Sequence, residues 1–255
     1  NLKPKNMFLY GKSGTGKTSC VRQVIDKLNK VNNAVEAVYL NCRIYDTRYR
    51  VLQKILSEFQ QGIAKTGHAF ALLYEKMLDW IEEANGRQLI IVLDEIDMVK
   101  DLDSLLYTLT RANDDIKKGG VSLIGISNKV NFKQRLDSRS KSSLSEEELV
   151  FQPYNAEQLK GILLQRTEKA FAQNIVGEDA LNLAAAIAAR ENGDARYALN
   201  LLIRAGEMAE QKNLQKISDP LASFQIFLRP QASVAAYLKE MSRTYLGHRP
   251  GIGAF

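Results

Sequence analysis

The chain has 255 residues, and 35 Lys and Arg against 29 Asp and Glu give it a formal net charge of +6. At 45% apolar and 25% charged, its composition is that of a globular protein, which excludes a disordered chain. A chain this long needs no disulfide or metal staples, and its longest wholly apolar run, Leu183–Ala189, is too short to cross a bilayer. No membrane partner is therefore expected. The start at Asn1 suggests a missing N-terminus, and the lack of a basic leader gives no support to secretion. Cys20 and Cys42 lack zinc-site spacing and are expected to be buried, reduced thiols of a cytoplasmic protein.

In chain order, Asn6–Tyr10 reads as a short buried strand and Ser19–Leu28 as a helix. Between them, Gly11-Lys12-Ser13-Gly14-Thr15-Gly16-Lys17-Thr18 matches the P-loop pattern. Its glycines let successive N–H groups converge on phosphate oxygens at a helix N-terminus, and Ser19 continues that rim. Lys17 is expected to reach the β- and γ-phosphates, with the Thr18 hydroxyl on Mg²⁺. A second strand is expected over Val35–Cys42.

The stretch 43–88 is far longer than one crossover helix needs. It reads as an inserted helical hairpin: Arg48–Gln60 with Val51, Leu52, Ile55, Leu56 and Phe59 on one face, then Ala69–Ala84 with Leu73, Met77, Trp80 and Ile81. Gln61–His68 would form a Gly-punctuated tip, in which Lys65 and His68 suit a phosphate backbone, although composition alone favours a solvated turn.

The apolar run Leu89–Leu93 ends in Asp94 and Glu95, as a central parallel strand does when its carboxyl end carries chemistry. Asp94 is expected to hold Mg²⁺ through water, Glu95 to polarise an attacking water, and Asp97 to cap a helix or support the site. Val121–Asn128 is the fourth strand, with Asn128 at its end to sense the γ-phosphate or orient water, and Leu149–Phe151 a short fifth. Between them lies a polar stretch, Leu136–Leu144, read as a loop whose Arg139 is either solvated or a finger for a neighbour's nucleotide.

From Pro153 the pattern is helical only. Asn155 with Gln158 reads as a capping box, a second helix spans Gly177–Glu191, and Asp194 caps a third that runs to Glu210. Arg196 lies in that helix's first turn, where the dipole disfavours a cation, so it pairs with either a phosphate or Asp194. The fold class is thus α/β: a P-loop core with a five-stranded parallel sheet (1–153), then a small all-α lid (154–217) and an unassigned tail (218–255).

GKSGTGKT, LIIVLDEID, GISN, LDSRSKSSL, FQPYNAEQLKGIL and GDARYALNLLIRAGEMAE occur in an order that resembles the archaeal replication initiators. These are AAA+ ATPases related to origin recognition complex subunit 1 and cell division control protein 6. The resemblance covers roughly Lys5 to Asn213. It implies an ATP/ADP-switched protein, nucleoid-associated in the cytoplasm, that hydrolyses ATP slowly. It implies binding to double-stranded origin DNA and support for loading the minichromosome maintenance helicase, with another initiator subunit as a further partner. Asn128 would be sensor 1, Arg196 sensor 2, and Arg139 would lie where a neighbouring subunit docks. The inserted hairpin would be the family's initiator-specific motif, with Lys65, Thr66, Gly67 and His68 on duplex DNA and Arg48 and Arg50 assisting. The family's segment before the P-loop and its C-terminal winged helix are not expected within 1–255. Two other readings remain: a clamp or helicase loader acting on protein rings, and a nucleotide-bound scaffold that does not hydrolyse.

Overall fold

The computed structural model describes residues 4–31, 35–59, 67–83, 86–129, 131–144, 146–171 and 175–211. The expected tail, 218–255, and the hairpin tip residues Lys65 and Thr66 lie outside them. The chain divides into two compact units, 1–152 and 153–255.

The first unit is built on β1 (Asn6–Tyr10), β2 (Val35–Asn41), β3 (Gln88–Asp94), β4 (Gly120–Ser127) and β5 (Glu146–Val150). They pair in parallel in the order β2-β3-β4-β1-β5. The chain leaves β1 through α1 (Lys17–Val31) to the far edge at β2, then returns strand by strand. The return runs through α2 (Arg48–Phe59), α3 (Phe70–Glu82) and α4 (Leu102–Asp115), and α5 (Ser138–Leu144) precedes β5. Because the direction of winding reverses, the helices cover both faces, and the strand carboxyl ends beside β1 become the place for a ligand.

The pleat sorts side chains between those faces. Val38, Leu40, Leu89, Ile91 and Leu93 join the core packed by α2, α3 and α4. Ala37, Tyr39, Ile90 and Val92 turn to the other face, where α1 contributes Val21 and Ile25. The buried stripe of α1 consists of Lys17, Val21 and Ile25, and Cys20 falls off it. Cys20 is therefore exposed, contrary to the expectation of a buried thiol, whereas Cys42 is buried.

The inserted helices form as their periodicity predicts. Val51, Leu52, Ile55 and Leu56 of α2 and Leu73, Met77 and Ile81 of α3 are all essentially inaccessible. The Phe59 and Trp80 rings stack 4.0 Å apart and 17° from parallel, closing the pair. Several boundaries differ from expectation, those of the fourth and fifth strands among them. The fourth strand stops at Ser127, leaving Asn128 exposed just beyond it. The fifth begins earlier, at Glu146, because an edge strand with acidic side chains carries little apolar signal.

The second unit contains α6 (Ala156–Ala170), α7 (Glu178–Glu191) and α8 (Ala195–Gln211). The Asn155 side chain accepts from the Gln158 amide while the Gln158 side chain accepts from the Asn155 amide, a complete capping box. Alanines at 180, 184, 185, 188, 198, 205 and 209 let the three helices approach around Leu159, Leu163, Leu201 and Leu202.

Candidate nucleotide and metal site

The P-loop leaves the carboxyl end of β1 through Gly11. A Cβ there would come within 2.4 Å of the Phe151 carbonyl oxygen, so glycine lets the loop pass the end of β5. Gly16 turns the chain at φ 87° into α1. The first turn of α1 holds no acidic side chain, so its positive end is left for an anion. Lys17 is only 5% exposed, and its Nζ donates to the carbonyl oxygens of Gly11 (2.7 Å) and Lys12 (2.8 Å). Thr15 Oγ1 also donates to the Lys12 oxygen (2.9 Å). Lys12, Ser13 and Ser19 are exposed along the rim, and Gly14 and Thr18 are half-buried.

Asp94 ends β3 on the face that α1 covers. Its Oδ2 accepts from Thr18 Oγ1 at 2.8 Å and from the Tyr39 hydroxyl, and its Oδ1 accepts from the Glu95 amide at 3.0 Å. The pairing of Thr18 with Asp94 sets two hard oxygen donors side by side, a set that suits Mg²⁺. Among the described residues no group of three or more His, Cys, Asp or Glu could hold a metal ion by itself.

Glu95 has φ 55° and ψ 44°, the left-handed conformation, at the start of a 3-10 turn, Ile96–Met98. A non-glycine residue held there costs about 1–3 kcal/mol, strain that is common where a side chain is aimed for function. Its carboxylate pairs with Arg43 Nε, just beyond β2.

Asp97 bridges two strand ends: it accepts from Ser127 Oγ (2.9 Å) and pairs with Lys129 Nζ (2.9 Å). Of the two roles expected for it, support for the site agrees with this geometry, because Glu95 occupies the cap position. Cys42, behind these carboxylates, has its thiol pushed up to about 12 by burial and by Asp94, Asp97 and Glu95, so it is inert at neutral pH.

Arg139 is not in a loop. It is exposed on α5, a short helix that the Asp137 carboxylate caps by accepting from the Ser140 amide (2.6 Å). Polar, serine-rich sequence concealed that helix. Arg48 lies 4.5 Å from the Phe70 ring centroid and pairs with Asp101 (3.3 Å), and Arg50 pairs with Asp46 (2.9 Å), so both are held by their own unit. Gly67 is exposed, and His68 is half-buried with its Nε2 enclosed and without a hydrogen-bond partner among the described residues. Arg196, in the second unit, donates its backbone amide to Asp194 Oδ1 (2.7 Å). Tyr39, Arg43 and Ser127 escaped sequence reasoning, since only the strand register brings them to Asp94, Glu95 and Asp97.

Fold and site together define an ATPase of the P-loop AAA+ class. An AAA domain model matches residues 2–133, and a Cdc6 AAA+ ATPase-type lid domain matches residues 160–220. An ORC1-type DNA replication protein of Thermococcus kodakarensis is 47% identical over 226 residues, covering 85% of this chain and 54% of that protein. Its counterpart in Pyrococcus abyssi is 48% identical over 226 residues, with the same coverage of each chain. The structure of the Aeropyrum pernix ORC1 protein in complex with DNA superposes with a TM-score of 0.74 at 38% identity, covering 98% of this chain and 69% of that one. The chain belongs to the ORC1/Cdc6 family of AAA+ proteins. It spans about half the length of the curated relatives it matches. Among the described residues no helix is long and apolar enough to cross a membrane.

Proposed function

We propose that the chain is the ATPase portion of a DNA replication initiator, in which bound ATP or ADP sets the conformation and slow hydrolysis resets it. Origin DNA and the minichromosome maintenance helicase are the proposed partners, with a second initiator subunit as a third. The observation that carries the reading is the 2.8 Å contact of Thr18 with Asp94 beside the buried Lys17, in a chain of this family.

In this reading the P-loop amides and Lys17 bind the phosphates, Thr18 and Asp94 hold Mg²⁺, and Glu95 orients water and takes its proton. Mg²⁺ neutralises charge on the phosphate oxygens when bound. Glu95 is paired with Arg43 in this structure, so its carboxylate is held in place beside the site. Asn128 senses the γ-phosphate as sensor 1, Arg196 acts as sensor 2, and Arg139 completes a neighbour's site. Lys65, Thr66, Gly67 and His68 meet duplex DNA through its backbone, a contact that positions without reading sequence.

Glu95→Gln tests the chemistry. It should bind ATP as wild type does and lose single-turnover hydrolysis by about 10²–10⁴-fold, the usual worth of a general base. Lys17→Ala should lose nucleotide binding altogether. Turnover at the wild-type rate in Glu95→Gln would remove Glu95 from this role.

A further inference from the structure

Strand register pairs Tyr39 with Val92 and Asn41 with Asp94. Alternation therefore puts Tyr39, Val92 and Asp94 on one face of the sheet, the face packed by α1. A tyrosine is long enough to reach one pleat along, and its hydroxyl donates to Asp94 Oδ2. Thr18 Oγ1 donates to that same oxygen, and the Glu95 amide donates to the other. The carboxylate is thus held by three donors, from α1, from β2 and from its own backbone. Arg22 of α1 holds the tyrosine in turn, its guanidinium carbon 4.3 Å from the ring centroid.

We propose that Tyr39 is a positioning residue for the divalent cation. Its hydroxyl locks the Asp94 carboxylate so that Thr18, while donating its proton to Asp94, presents oxygen lone pairs to the metal. Without that donor the carboxylate can rotate about its side-chain bonds, and the Thr18 oxygen loses its fixed direction. The proposal rests on the reading of this site as a Mg²⁺–nucleotide centre.

Tyr39→Phe keeps the ring, its packing and the Arg22 contact, and deletes one donor. The measurement is Mg²⁺ titrated into the protein with a fluorescent ADP analogue, alongside analogue binding in EDTA and the Tm without nucleotide. The Mg²⁺ concentration at half-saturation should rise by about 10-fold, the low end for an outer-shell partner of a metal ligand. Affinity in EDTA and Tm should stay at wild-type values. A Mg²⁺ midpoint unchanged from wild type overturns the proposal. So does a raised midpoint with an equal loss of affinity in EDTA, which would mean that the whole loop had shifted. Wild-type binding without any Mg²⁺ dependence would instead remove the metal reading itself.

Discussion

Burial pushes the Asp97 carboxyl up, but the hydrogen bonds from Lys129 and Ser127 outweigh it and hold the group below the ordinary carboxylate range. A carboxyl lowered on folding stabilises the native state above its unfolded pKa of about 3.9, and that stability is lost as pH falls through the folded value. Asp97→Asn should therefore lower Tm near pH 6, with the difference from wild type shrinking as pH falls below about 4. Thermal melts of both proteins across that range check it, and a difference of the same size at pH 3 and pH 6 would contradict it. The acidic strand end was legible in the sequence because an apolar run stopping at two carboxylates has few other readings. Its partners were not. Tyr39, Arg43 and Ser127 each lie far from these acids in sequence, and their roles follow only from how β2, β3 and β4 align.

At the scale of elements, periodicity was a sound guide wherever a helix buries a wide stripe, as α2, α3 and α8 do. Caps marked the start of α6, where Asn155 and Gln158 exchange hydrogen bonds. Periodicity gave no signal at α5, seven residues of which four are serines and only Ser140 and Leu144 are buried. That helix is held by its Asp137 cap and by Ser140 Oγ bonding the Asp103 carbonyl (3.2 Å), a tertiary contact with no local signature. The second unit depends on a core in which small alanines surround a few leucines. Leu202→Ala, at a position 1% exposed, should cost that unit about 2–5 kcal/mol. Hydrogen exchange of the α6–α8 amides reads this directly, and exchange at wild-type rates would show that the alanine framework is stable without it.

For the whole molecule, the division at Gln152 and Pro153 separates a sheet unit with two cores from a unit with one helical core, among the described residues. The change from alternating strands and helices to helices alone made that organisation readable, since each pattern buries its apolar residues differently. Which strands neighbour each other was not readable, because a parallel strand buried on both faces carries no mark of its partners. The net charge of +6 also needed the fold to be interpreted. Lys17 points into the loop of the phosphate site, whereas Arg48, Arg50 and Lys100 pair with Asp101 and Asp46 of their own unit. The central proposal is that nucleotide state governs how this chain meets duplex DNA. It is tested most directly by titrating origin-derived and random duplexes over a range of salt, with ATP and then with ADP. Binding that differs between the two nucleotides and weakens steeply with salt is the predicted result. No binding in either state, or the same affinity and salt slope with both nucleotides, would contradict it.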